Sequence, residues 1–434
     1  MSTNVKTRFI PLTPLISQVN FSTVRSRTSL FMRKRLLLFL PLITWLGWTQ
    51  NLVLAQETAT SISTETAPSC HPSDPSPEIH AGATPMPLLA AQLTSAAPMP
   101  AKVLEQLPTD PQIDVQETTN AQGEHVKIAL FKDLLIDKIY PSMHGPWKQQ
   151  PLRMLPPSQS QWVWITGYRA EVLDSKTGEA SQEFMCHTNL RVMGTPGAPD
   201  QFQNERAELS ISQGQKEVNF PPGFALRVEN IPERQMNVMV MVLNNNYANI
   251  HRNLNFKSTV RYYDDSEAEK RRLIPLVQTS AYTACLTDPK EISPGEYTCT
   301  AASPPEMSRW LDGRQRTGHW IVPPGRQAFT QDVTKILNLS YDTTLHYIWM
   351  HVHPYAESLE LKDLNTGKTV WKGSVNNPKD PNLAQVLTTD TYSSTDGIPL
   401  YKDHHYSLTT IYNNRSKHDV DAMAALWMYI REKT

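Results

Sequence analysis

From about residue 125 onward the chain is a succession of short apolar and β-branched runs, each closed by polar, proline or glycine turns. In the first half these runs are Val126–Phe131, Gln161–Val172, Glu183–Val192, Ala207–Ser212, Phe224–Val228, Met236–Leu243 and Asn255–Tyr263. In the second half they are His319–Val322, Gln327–Asp332, Thr343–His353, Leu359–Asp363, Thr369–Trp371, Tyr406–Tyr412 and Ala422–Ile430. Runs of this length and composition read as strands, and many of them at even spacing with little helical periodicity read as β-sandwiches or jelly rolls. The dense apolar stretch Met236-Asn237-Val238-Met239-Val240-Met241-Val242 has the character of a buried sandwich strand. Residues 361–371, with Asn365-Thr366-Gly367 in the middle, read as a hairpin. The segment from Ser266 to Arg272 is either a short helix or a charged loop. The expectation is an all-β chain with one sandwich over 125–272, a bridge over 273–316 and a second sandwich over 317–434.

The region before the first sandwich has a different character. Residues 56–124 are rich in Thr, Ser, Pro, Ala and Gln and lack a sustained apolar period. Such a composition buries too little apolar area to offset the entropy of ordering, so a flexible linker is expected. Residues 1–55 hold an export signal. Arg33-Lys34-Arg35 is a basic n-region, Leu36 to Trp48 an apolar h-region, and Val53-Leu54-Ala55 a small-residue cleavage site. Met32, just ahead of the basic cluster, reads as the true start. The apolar run is short for a comfortable membrane span, with an uncleaved anchor as the alternative reading, and no later segment approaches a span. An exported protein, periplasmic or extracellular and without stable membrane insertion, is therefore expected.

Cysteine usage agrees with an oxidising compartment. Cys285 and Cys299 bracket a short polar segment with Pro289, Pro294 and Gly295, where a disulfide is expected. Cys70 lies in the linker and Cys186 in an expected strand; no CxxC occurs. The formal net charge of −1 provides no basic field for nucleic acid. No G-x-S-x-G elbow, P-loop, dinucleotide fingerprint or H-E-x-x-H is present.

The chemistry-bearing feature is Tyr347-Ile348-Trp349-Met350-His351-Val352-His353-Pro354. On a strand, residues i and i+2 share a face, so His351 and His353 project side by side at roughly 7 Å along the backbone. Two neutral imidazoles in that geometry are a good half-site for copper or zinc, the alternative being one hydrogen-bonded core histidine and one at the rim. Met423, entering the last strand, adds a soft thioether that selects Cu(I); Met428 competes for the role, and a core filler is the ordinary use of either. His404 and His405 precede a strand, and their alternation allows at most one of them to join a site. His144 reads as part of a packed loop, and His319 and His346 as structural.

His351-Val352-His353, followed by Met423 in an Asp-Ala-Met-Ala-Ala-Leu-Trp-Met-Tyr-Ile strand, resembles the second domain of the copper type II, ascorbate-dependent monooxygenases. Peptidylglycine hydroxylating monooxygenase and dopamine β-monooxygenase belong to that family. The resemblance implies two tandem jelly-roll β-sandwich domains and makes His351, His353 and Met423 candidate copper ligands. It also implies dioxygen chemistry on a small-molecule or peptide substrate. The first domain departs from the family pattern. The family's adjacent His-His pair corresponds to Cys186-His187, and its later histidine falls near Asn244, with His251 close by. Asn219-Phe220-Pro221-Pro222-Gly223-Phe224 resembles the Pro-Gly turn before the corresponding strand. The resemblance thus implies one copper site in the C-terminal domain and a degenerate site in the first, with Cys186, His187, His251 and His405 as weaker donors. The alternatives are a two-sandwich binding or structural protein without catalysis, and copper storage or delivery without turnover.

Overall fold

The computed structural model describes residues 112–195, 206–291, 299, 307–309 and 314–433. The expected export signal, Cys70 and most of the expected linker lie outside these residues. Nearly all regular structure is strand. In the first half β1 spans Ile113–Thr119, β2 His125–Ile136, β3 Trp147–Leu152, β4 Trp162–Asp174, β5 Met185–Gly194, β6 Arg206–Ser212, β7 Glu217–Asn219, β8 Phe224–Glu229, β9 Arg234–Val242 and β10 Arg252–Tyr263. One sheet runs β2-β10-β4-β8, and the sheet facing it runs β3-β9-β5-β6. Leaving aside the edge strand β1 and the short β7, the first sheet takes the first, eighth, third and sixth strands. The other takes the second, seventh, fourth and fifth, which is the winding of a jelly roll.

The second half repeats this winding. Here β11 is Ile274–Tyr282, β12 Cys285–Leu286, β13 Met307–Arg309, β14 Gln315–Thr317, β15 Trp320–Val322, β16 Gly325–Asp332, β17 Thr343–Val352 and β18 Ala356–Asp363. The chain continues through β19 Thr369–Asn376, β20 Thr388–Thr389, β21 Tyr392–Leu400, β22 Tyr406–Asn414, β23 Val420–Ala422 and β24 Ala424–Arg431. The order β11-β24-β17-β21 faces β16-β22-β18-β19. The chain is therefore all-β, two jelly rolls in tandem. They share a sheet, because β8 of the first pairs in parallel with β11 of the second through Ile274–Phe224 and Leu276–Leu226.

Two elements extend beyond the sequence boundaries. β1 falls at the end of the expected linker and pairs along β2 from Ile113–Phe131 to Thr119–His125. Its side chains after Ile113 are largely exposed, so it lacks the apolar alternation of a core strand. The expected bridge begins with β11, a core strand of the second roll paired to β24 over Leu276–Arg431 to Tyr282–Ala425. The rest of that bridge carries the expected disulfide, Cys285–Cys299, with Cα atoms 5.7 Å apart. The segment over 266–272 is a helix, α1 (Asp265–Arg271), whose N-cap Asp264 side chain accepts from the Glu267 N–H. Among the described residues no helix is long and apolar enough to cross a membrane.

Each roll has its own core. Ile165, Tyr168, Leu190, Val240 and Phe256 lie in the first, and Trp320, Ile348, Met350, Leu408 and Leu426 in the second. The two join through aromatic residues on the outer face of the shared sheet. Tyr347, Trp349 and Tyr429 belong to strands of the second roll but pack into the core of the first.

Candidate metal centre

Strand β17 sorts its side chains by period two. Ile348, Met350 and Val352 enter the core of the second roll, while Tyr347 and Trp349 turn toward the first. His351 has the parity of Tyr347 and Trp349 and sits opposite the small Ala425 of β24. The strand ends at Val352, and His353 begins a turn whose two central positions are Pro354 and Tyr355, closed by Ala356 N–H to His353 O at 3.4 Å. Proline at the first central position and φ of 72° at Tyr355 mark a type II turn. A bulky residue is strained in that left-handed region. Tyr355 is held there by its N–H to Asn377 Oδ1 at 3.0 Å and its hydroxyl to the Pro381 carbonyl at 2.9 Å. The turn fixes where His353 stands, and the His351 and His353 rings lie 5.5 Å apart between centroids at 82°.

The Met423 region approaches from β24. Met423 lies in the break between β23 and β24, half-buried, and its carbonyl accepts the His353 N–H at 3.4 Å. The Tyr412 hydroxyl accepts from both the His353 N–H and the Met423 N–H at 3.2 Å. The backbones of His353 and Met423 are thus adjacent, while the Met423 side chain is not among those that line the cavity beside the two histidines.

Two further residues join the pair. In β23, Asp421 pairs with Ile321 of β15, and His319 stands just before that strand. Asp421 Oδ2 lies 3.0 Å from His353 Nδ1 and 3.2 Å from His319 Nδ1. One donor atom from each of His319, His353 and Asp421 can be chosen so that all lie within 4.8 Å of one another. The His319 and His353 rings are 5.1 Å apart. Burial pushes the Asp421 carboxyl up, but the charge and hydrogen bonds of the two imidazoles outweigh it and hold the group well below the usual carboxylate range. An ionised carboxylate only accepts, so it favours the tautomer with the proton on Nδ1 and leaves Nε2 with its lone pair. The Nε2 atom of His353 is buried and has no hydrogen-bond partner.

A cavity of about 260 Å³ opens beside these groups. His351, His353 and Asp421 of the second roll line one part of it, and Cys186, Ser142 and Asn245 of the first line another. Cys186 Sγ is 3.3 Å from the Nδ1 of its neighbour His187 and 3.8 Å from the Ser142 hydroxyl. Burial, then the positive Arg191 and the other imidazoles, lower His187 to about 4. Burial does the same to His351, well below the ordinary histidine value. Both rings are neutral at pH 7, the form that binds metal.

The remaining sequence candidates sit elsewhere. His251 and His405 are exposed and do not line this cavity. His405 precedes β22, at the end of that strand opposite to Tyr412. His404 pairs with Asp363, and His346 is held by Thr344 and the Ser394 carbonyl. Met428 is fully buried in the core of the second roll. Asp421 and His319 were not among the sequence candidates. Asp421 did carry one signal: it lies two residues before Met423, on the same side of an alternating run.

No protein-family model and no curated protein matches the chain. Among solved structures, the STIV MCP covers 70% of this chain and 95% of its own at 8% identity, with a TM-score of 0.27. A Paenibacillus xanthan lyase covers 74% of this chain and 25% of its own at 11% identity and a TM-score of 0.17. The T=3 Penaeus vannamei nodavirus covers 80% and 98% at 9% identity and 0.16. Likeness this slight identifies neither a close fold relative nor a function.

Proposed function

We propose that this is an exported copper-binding protein with one metal centre, at the cavity between the two jelly rolls. The observation that carries the reading is the His353 imidazole. Its Nε2 is buried without a partner, beside the His351 imidazole of the same strand, and its Nδ1 faces a carboxylate. A buried nitrogen lone pair left unmatched is costly unless something binds it. A metal-ligating histidine commonly gives its other nitrogen to a carboxylate in this way. His351, His353 and Met423 are the proposed donors, and a thioether among imidazoles favours copper over zinc.

Copper held there would supply redox chemistry toward dioxygen, which makes a monooxygenase-type oxidoreductase the proposed reaction class. The chain's own groups would hold and screen the ion. Asp421 orients His353, Tyr412 fixes the backbone of His353 against Met423, and the cavity admits a small molecule or the end of a peptide. In the first roll only Cys186 and His187 stand where a second centre is expected, and they contact each other. That arrangement favours a single copper and keeps open a second reading, a two-sandwich binding protein without turnover. The Cys285–Cys299 disulfide supports export to an oxidising compartment.

The test is the copper content of the protein purified from the export compartment, as wild type, His353→Ala and the exposed control His405→Ala. The reading expects about one copper in wild type and control and a loss in His353→Ala. Equal, negligible copper in all three leaves the binding-scaffold reading.

A further inference from the structure

His353 has two nitrogens, and the copper reading uses only Nε2. We propose that the Nδ1 side forms a separate site for a borderline or hard divalent cation such as Zn²⁺, Co²⁺, Mn²⁺ or Fe²⁺, with His319, His353 and Asp421 as ligands. This site needs neither Met423 nor His351; because a neutral ring offers a lone pair on one nitrogen only, it and the copper reading are alternative uses of His353.

All three donor-to-donor distances are within 4.8 Å, and the two that meet at Asp421 fall in the range of a coordination shell. Metal bonds of about 2.0–2.2 Å at tetrahedral or octahedral angles place neighbouring donor atoms about 2.8–3.6 Å apart. The two edges that meet at Asp421 measure 3.0 and 3.2 Å. The donors come from three separate stretches: the approach to β15, the end of β17, and β23. The β15–β23 ladder and the type II turn after His353 hold them in place, so the set is built by tertiary structure. Two imidazoles and one carboxylate are the donors of non-haem Fe(II) centres and also suit zinc. They leave positions open for water or a ligand.

Access is present on the same side. Asp421 is about one-third exposed, with a side-chain accessibility of 34%, whereas the two histidine side chains are at 9% and 8%. His353 and Asp421 both line the cavity, so an ion can enter from it and keep water ligands. When an ion takes the two Nδ1 atoms, each ring proton moves to Nε2, which for His353 is the atom without a partner. The cavity then offers that N–H a water.

The full chain, stripped of metal with a chelator, is titrated with Co²⁺ alone and followed by visible absorption. Asp421→Asn and His319→Gln are expected to weaken Co²⁺ binding at least about tenfold. Met423→Leu and His351→Gln are expected to change it by no more than about twofold. Wild-type binding in both Asp421→Asn and His319→Gln, or no binding by the wild type, overturns the proposal and leaves the copper reading standing. Conversely, Co²⁺ binding that survives in a Met423→Leu protein stripped of its copper affinity upholds this site. In case a variant fails to fold, the wild-type chain with ¹⁵N-labelled histidine is measured with and without Zn²⁺. A shift of His319 and His353 to the Nε2–H tautomer supports the proposal, and retention of Nδ1–H in both sinks it.

Discussion

The Tyr412 hydroxyl donates to the Met423 carbonyl oxygen at 2.6 Å from the facing sheet of the second jelly roll. The Tyr412 hydroxyl oxygen in turn accepts the N–H groups of His353 and Met423, so one buried side chain joins the two backbone segments of the candidate centre. Burial raises the hydroxyl well above the ordinary tyrosine value, so it stays protonated and can donate.

Removing that oxygen leaves the Met423 N–H without its partner and leaves the His353 N–H and the Met423 carbonyl with only their long mutual bond of 3.4 Å. Tyr412→Phe is expected to cost about 1–3 kcal/mol of unfolding free energy. Copper affinity falls with it, because the spacing between His353 and Met423 is no longer held. Denaturant unfolding and copper titration check the two effects. Unchanged copper affinity in a destabilised variant would mean the hydroxyl serves the fold alone.

Acidification weakens the metal-free protein through its buried imidazoles. Burial and the positive charge of Arg191 lower His187 to about 4 in the folded state, against about 6.5 unfolded. Between those values the unfolded chain binds the proton and the folded chain does not. The stability this group contributes is complete above pH 6.5, declines as pH falls, and is gone near pH 4. The loss is on the order of 3 kcal/mol for His187, and His351 adds to it in the same direction. Urea unfolding of chelator-treated protein at pH 7.5, 5.5 and 4 should show the decline, and His187→Gln should flatten it.

The sequence was most readable where a strand is buried on one or both faces. Met236–Val242 and Thr343–Val352 stand out because nearly every position meets a core, so the apolar content is dense. Strand β21 was missed because it is an edge strand with Asp396, Gly397 and Pro399, residues that read as a turn. β11 was assigned to the bridge because Pro275 interrupts it near its start and most later positions are only half-buried. For the centre, the His351/His353 face follows from period two alone. The link from His353 to Asp421 and His319 does not, because only the β15–β23 ladder brings those residues together. No local spacing encodes a contact of that kind.

The Cys285–Cys299 bridge closes a loop with a sequence separation of 14. In the chain-entropy account a loop of that size is worth about 3 kcal/mol. Cys285→Ser with Cys299→Ser is expected to lower unfolding free energy by about 2–4 kcal/mol. Reductant should have the same effect on wild type and none on the double variant. Metal binding stays intact if the folded state survives, because neither cysteine lines the cavity. A reductant effect of equal size on both proteins would locate the loss elsewhere.

The two rolls are coupled through Phe220, which lies between β7 and β8 of the first and meets strands of the second. Its ring is 4.8 Å from that of Tyr429 and 5.6 Å from that of Tyr347, both edge-on. The partner rings are anchored back to the first roll by their hydroxyls, Tyr429 to the Glu208 carbonyl at 3.0 Å and Tyr347 to the Glu217 carbonyl at 3.4 Å. Phe220 therefore fills the interface from one side while the tyrosines tie it from the other. Phe220→Ala opens a void there and is expected to cost about 3 kcal/mol. The proposed donors His319, His351, His353, Asp421 and Met423 all belong to the second roll, so metal affinity should survive the change. A loss below about 1 kcal/mol would show that the shared β8–β11 pairing, and not the aromatic contact, unites the two halves.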